Sequence, residues 1–142
     1  MTTRLTGLPR RLLQISLLLC LTALWLPGAS LAGEMAVTPR VVKIHADWCG
    51  TCVKLNPTWE ALEKEYGDSV DFIIFDMTDV ASKSKAQTLA DELELAPILA
   101  KYGGGTGQIV ILPAGSSEPT AVLKGQMDPG VYAGPIAQAR KP

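Results

Sequence analysis

The chain has 142 residues, of which 47% are apolar and 19% charged, enough for one domain with a buried core and too ordered in composition for full-length disorder. Thirteen basic and 14 acidic residues leave a formal charge of −1, which excludes a strongly basic nucleic-acid binder and a polyacidic tail protein. Three cysteines are too few for a disulfide-stapled mini-protein.

Residues 1–32 have the pattern of an export signal. Arg4, Arg10 and Arg11 form a basic lead with no acid beside them. Leu12 to Leu26 is apolar except for Gln14, Ser16 and Thr22, and Pro27-Gly28 then breaks the helix. Ser30-Leu31-Ala32 has the small-x-small form of a cleavage site, so the mature chain is expected to begin near Gly33. An uncleaved membrane anchor is the alternative, but the apolar run is shorter than the ~20 residues that span a bilayer. Leu19 stands where a lipoprotein signal needs a small residue, so Cys20 is expected to leave with the peptide. Without residues 1–32 the charge falls to −4, and Cys49 and Cys52 are the cysteines that remain. In an exporting context such a pair points to redox activity, because a disulfide closing so small a loop removes little unfolded-state entropy.

The rest alternates strand and helix. Val41 to His45 is a short β-branched strand. After a turn carrying Asp47, Trp48, Cys49 and Gly50, Leu55, Trp59, Leu62 and Tyr66 mark one apolar stripe of a helix over 51–66. Glu60 and Lys64 pair on its outer face, Pro57 kinks its second turn, and Gly67 ends it as a left-handed cap. Val70 to Phe75 is the second strand. Asp79 caps a helix running to about Leu95, with Ala86, Leu89, Ala90 and Leu93 inward, and Ile98 to Tyr102 adds a short helical turn. Gly103 to Gly107 is a loop, Gln108 to Leu112 and Thr120 to Lys124 are a hairpin, and Val131 to Arg140 is a final helix. The order β-α-β-α-β-β-α predicts an α/β domain over 33–142, with a mixed four-stranded sheet and helices on both faces.

Trp48-Cys49-Gly50-Thr51-Cys52 carries the chemistry. Cys49 falls at a helix N-terminus, where free amides and the helix dipole favour a thiolate. Cys52 lies one turn on, within reach of a mixed disulfide on Cys49, and Gly50 leaves the approach open. Cys49 is the expected attacking thiol and Cys52 the resolving one. A metal site from His45, Asp47, Cys49 and Cys52 is the alternative, though zinc usually draws ligands from more than one segment. Val53 in place of a histidine excludes haem attachment. His45 is expected to be a packed strand residue, Trp48 contact surface over the thiols, and Trp59 core. Asp76 and Asp79 are explained by strand-end solvation and capping, and Gly103 to Gly107 lacks the Lys-Ser/Thr pair of a phosphate loop.

In Ala46 to Cys52, with Pro57 five residues on and the run Phe72 to Asp76 behind, the chain resembles the thioredoxin-like superfamily. The resemblance is good over 41–76, weaker over 98–140, and absent over 1–40. It implies a minimal version of that fold and a protein thiol–disulfide oxidoreductase with a redox-active Cys49–Cys52 disulfide. No cofactor or nucleic acid is implied; the chain would act as a monomer, reset by a membrane redox partner in the periplasm. Three departures stand out. Thr106-Gly107-Gln108 occupies the place of the family's cis-proline loop, so a trans loop is expected, because a non-proline cis bond costs ~2.5–4 kcal/mol. Lys43 replaces a buried acid that shuttles protons in several relatives, and either favours thiolate or sends its amine to solvent. The extra first strand and helix of full thioredoxins have no room before Cys49, while Asp79 to Tyr102 is longer than its counterpart. A non-catalytic module that binds copper, zinc or a partner protein is the rival function.

Overall fold

The computed structural model describes residues 38–141. The export signal read over 1–32, Cys20 and the cleavage point near Gly33 lie outside these described residues. Among the described residues no helix is long and apolar enough to cross a membrane.

The elements run β1 (Arg40–His45), α1 (Gly50–Lys54), α2 (Asn56–Tyr66), β2 (Asp71–Asp76), α3 (Val80–Glu92), α4 (Ala96–Tyr102), β3 (Gln108–Leu112), β4 (Ala121–Lys124) and α5 (Gly130–Ala139). The sheet order is β2-β1-β3-β4, with β1 parallel to β2 and antiparallel to β3, and β3 antiparallel to β4. This is the mixed four-stranded sheet expected. β1 and β3 are central, which explains their β-branched, almost wholly buried composition.

Alternation along β1 divides the core. Val42 and Ile44 face Phe75, Ala86, Ala90, Ile98 and Leu99, beneath α3 and α4. Val41 faces Trp59, Leu62, Tyr132 and Ile136, beneath α2 and α5. Each large apolar side chain buried in these layers stabilises the fold by about 1.5–3 kcal/mol against its exposed state. Trp59 meets Phe72 edge to face, with ring centroids 5.1 Å apart. Arg40 donates to the Leu93 carbonyl at 2.8 Å and so ties β1 to the end of α3.

Several details differ from expectation. The helix over 51–66 is divided at Leu55 rather than bent within one element, because Pro57 has no N–H to continue the ladder. Gly67 is not a left-handed cap: its φ is −54°, and a Cβ there would lie 2.6 Å from the Glu63 carbonyl oxygen. Close approach, not handedness, is what glycine answers at that position. β2 begins and ends one residue later than expected, because pairing from Arg40↔Asp71 to His45↔Asp76 sets its limits. α3 stops at Glu92, since Glu94 takes φ +58° and Leu95 bonds back to Ala90; α4 then begins at Ala96. Asp79 is the N-cap of α3, accepting from the Ser82 amide at 2.7 Å.

Candidate active site

β1 ends at His45, and buried Ala46 turns the chain by accepting from the Cys49 amide at 3.1 Å. Cys49 is the N-cap of α1, in extended backbone geometry, and its Sγ accepts from the Cys52 amide at 3.3 Å. Cys49 is half-buried and Cys52 fully buried; both are thiols. The Cys52 Sγ lies 3.8 Å from the Ile44 carbonyl oxygen. The outer sulfur is therefore reachable and the inner one is screened behind it.

Their protonation follows from these surroundings. Partial burial pushes the Cys49 thiol up, but hydrogen bonds from the Cys52 thiol, the Thr106 hydroxyl and the amides of Cys52 and Thr51 outweigh it and hold Cys49 below an ordinary cysteine. Burial pushes Cys52 up, and its bond to Cys49 adds to that rise. Since α1 is only five residues long, nearby donors supply the bias rather than a long-helix dipole.

The loop from Gly103 to Gly107 meets the pair at its end, through Thr106 and Gly107. Every peptide bond among the described residues is trans, as expected for this loop. Gly107 has φ +81°, and a Cβ there would lie 2.9 Å from Thr51 Cγ2 and 3.5 Å from Cys49 Sγ. Its N–H donates to the Ile44 carbonyl and its carbonyl accepts from Gly125, each at 2.9 Å. The left-handed φ and the contact with Thr51 both demand glycine at this point. Gln108 is buried, with Nε2 donating to the Tyr102 carbonyl at 2.8 Å, which anchors the loop to α4. Gly50 by contrast has open space around it.

Trp48 is 66% exposed, and its Nε1 donates to the Thr78 carbonyl at 3.0 Å. The Thr78 hydroxyl accepts from the Asp47 amide, and Asp76 accepts from the amide and hydroxyl of Thr78. Trp48 is thus fixed and exposed beside a groove of about 400 Å³, lined by Met77, Lys83, Gln87, Gly104 and Thr106 among others. Thr78 and Asn56 were missed in the sequence. An Asp76-x-Thr78 turn was the one local signal for the first, and the second left none.

Lys43 does not send its amine to solvent. The residue is 2% exposed; its Nζ donates to Asn56 Oδ1 at 2.7 Å and lies 5.5 Å from the centroid of the Trp59 ring. Pro57 is exposed at the start of α2 and touches the chemistry only through the helix break. His45 is half-buried, with Nε2 3.1 Å from Asp47 Oδ1 and Nδ1 unpaired. Among the described residues no three His, Cys, Asp or Glu side chains come together as a metal site, so His45, Asp47, Cys49 and Cys52 do not form one.

The model of the thioredoxin family matches residues 32–106. A thioredoxin of Borreliella burgdorferi is 37% identical over 54 residues, covering 36% of this chain and 46% of that protein. Protein disulfide-isomerase A2 of Homo sapiens is 34% identical over 70 residues, covering 49% of this chain and 13% of that protein. The chain thus spans less than half the length of these relatives. Among solved structures, a thioredoxin of Malassezia sympodialis is similar at 20% identity and a TM-score of 0.44, over 72% of this chain and 78% of that one.

Proposed function

The chain belongs to the thioredoxin family, and on that footing we propose that its Cys49–Cys52 pair exchanges electrons with protein disulfides or thiols in the cell envelope. The observation that carries this reading is the asymmetry of the two sulfurs. Cys49 is half-buried and held below its ordinary ionisation range, while Cys52 is buried, its thiol pushed up, and one turn behind. The Cys49 thiolate attacks a substrate disulfide; one substrate sulfur bonds to Cys49 and the other leaves, taking a proton. Cys52 then attacks Cys49 Sγ, closing the Cys49–Cys52 disulfide and releasing the second substrate thiol. Two electrons pass from the pair to the substrate. Read backwards, the same steps oxidise a dithiol, and relative potentials set the direction. Exchange runs through sulfur alone and calls for no organic cofactor.

The envelope is proposed on the pattern of residues 1–32, with Arg4, Arg10 and Arg11 leading the apolar run. A membrane redox protein is the proposed partner that resets the pair. The test is trapping. Cys52→Ala is expected to accumulate mixed disulfides with envelope proteins, visible as adducts that thiol reductant dissolves, and Cys49→Ala to accumulate none. Equal trapping by both variants, or by neither, contradicts the assignment. Purified protein holding stoichiometric zinc or copper that blocks alkylation would favour the binding-module reading instead.

A further inference from the structure

The positions Cys52, Asn56 and Trp59 fall four and then three residues apart, so they share one side of the α1–α2 rod despite the break at Leu55. Lys43 rises from β1 against that side. Its amine is fastened between Asn56 Oδ1 at 2.7 Å and the Trp59 ring at 5.5 Å. An ammonium has three protons to place, and here one goes to an amide oxygen and the charge lies over a ring face. A charged side chain is seldom held at 2% exposure without a partner. Burial lowers the ionisation range of this amine, and Cys52, whose Sγ lies 3.8 Å from the carbonyl of the next residue, Ile44, opposes that fall most, ahead of Glu63 and Glu60. Both glutamates are exposed and screened by water, whereas Cys52 is buried with the lysine.

We propose that Lys43 is the positioning residue of the resolving step: its ammonium, held by Asn56 and Trp59, favours the thiolate form of Cys52 when Cys52 attacks the mixed disulfide. The inference rests on the exchange reading above. Lys43 takes no proton in this step; it stabilises the anion. The bond between Cys49 and the substrate sulfur breaks and the Cys49–Cys52 bond forms. The proton that Cys52 gives up ends on the departing substrate thiol, so the count of protons and electrons is unchanged. Burial and the bond to Cys49 raise the cost of ionising Cys52, and on this proposal the Lys43 ammonium offsets part of that cost.

The test follows the reduced full chain reacting with glutathione disulfide, quenched in acid and weighed by mass spectrometry. Mixed disulfide at Cys49 reports the first step, and its conversion to the Cys49–Cys52 disulfide reports the second. Lys43→Met is expected to slow the second step about tenfold at neutral pH and move its pH midpoint upward, the equivalent of one pK unit. The first step is expected to change by less than about twofold, which a merely structural role of Lys43 would not single out, and Lys43→Arg is expected to restore the midpoint. A second step with wild-type rate and midpoint in Lys43→Met overturns the proposal. Should Lys43→Met fail to fold, Asn56→Ala at the exposed end of the bond decides: it must move the midpoint the same way, and an unmoved midpoint overturns the proposal. A wild-type chain that forms no mixed disulfide defeats the exchange reading itself, an outcome distinct from a lysine without effect.

Discussion

Hydrogen bonds to the Cys49 sulfur outweigh its partial burial and hold its thiol below the ordinary range. One of those donors is the Thr106 hydroxyl, in the loop facing the pair. Thr106→Val removes it at nearly constant volume, so the Cys49 thiol is expected to ionise at higher pH. The alkylation rate of Cys49 at neutral pH should fall roughly threefold to tenfold, as loss of one ordinary hydrogen bond implies. An unchanged rate would show that the Cys52 thiol and the backbone amides of Thr51 and Cys52 carry the effect without it. The sequence made the cysteines, Trp48 and the cap at Asp79 legible, because each acts through neighbours a few residues away. It did not make Lys43 legible: whether its amine reaches water or Asn56 depends on how closely α2 packs on β1. The role of Thr78 under Trp48 was hidden for the same reason, since that hydrogen bond joins residues 30 apart.

At the scale of elements, strands are legible where composition is decisive, as in the β-branched runs of β1 and β3. Their limits were set by partners instead: β2 by its register on β1, and α3 by the positive φ of Glu94. The loop between α4 and β3 shows what composition leaves out. Four glycines and Thr106 read simply as flexible, yet Gly107 is held by two backbone hydrogen bonds and presses on Thr51. Gly107→Ala is therefore expected to destabilise the fold by about 1–2 kcal/mol through its left-handed backbone alone, with further loss from the contact with Thr51. Gly50→Ala, in open space at the start of α1, is the control and should be neutral or stabilising, within about 1 kcal/mol. Urea melts of the two variants check the pair, and equal costs would mean that the loop yields freely.

Across the whole molecule, the central sheet places one thiol outside and one inside, and pH acts on them in opposite senses. Cys49, lower in the fold than in the unfolded chain, contributes stability that is present above the unfolded pKa and lost as pH falls through the folded value. Cys52, higher in the fold, contributes stability present below the unfolded pKa and lost as pH rises through the folded value. An alkaline melt reads only the difference between them, whereas chemical modification reads each sulfur separately. The direct measurement is thus the pH profile of iodoacetamide alkylation of the reduced chain, with the modified sites resolved by mass spectrometry. Cys49 alone is expected to react at neutral pH, with a midpoint below that of an unfolded-chain cysteine, while Cys52 stays unmodified until the fold opens. Cys49 and Cys52 reacting alike, or Cys49 reacting only at the pH of an unperturbed thiol, would contradict it.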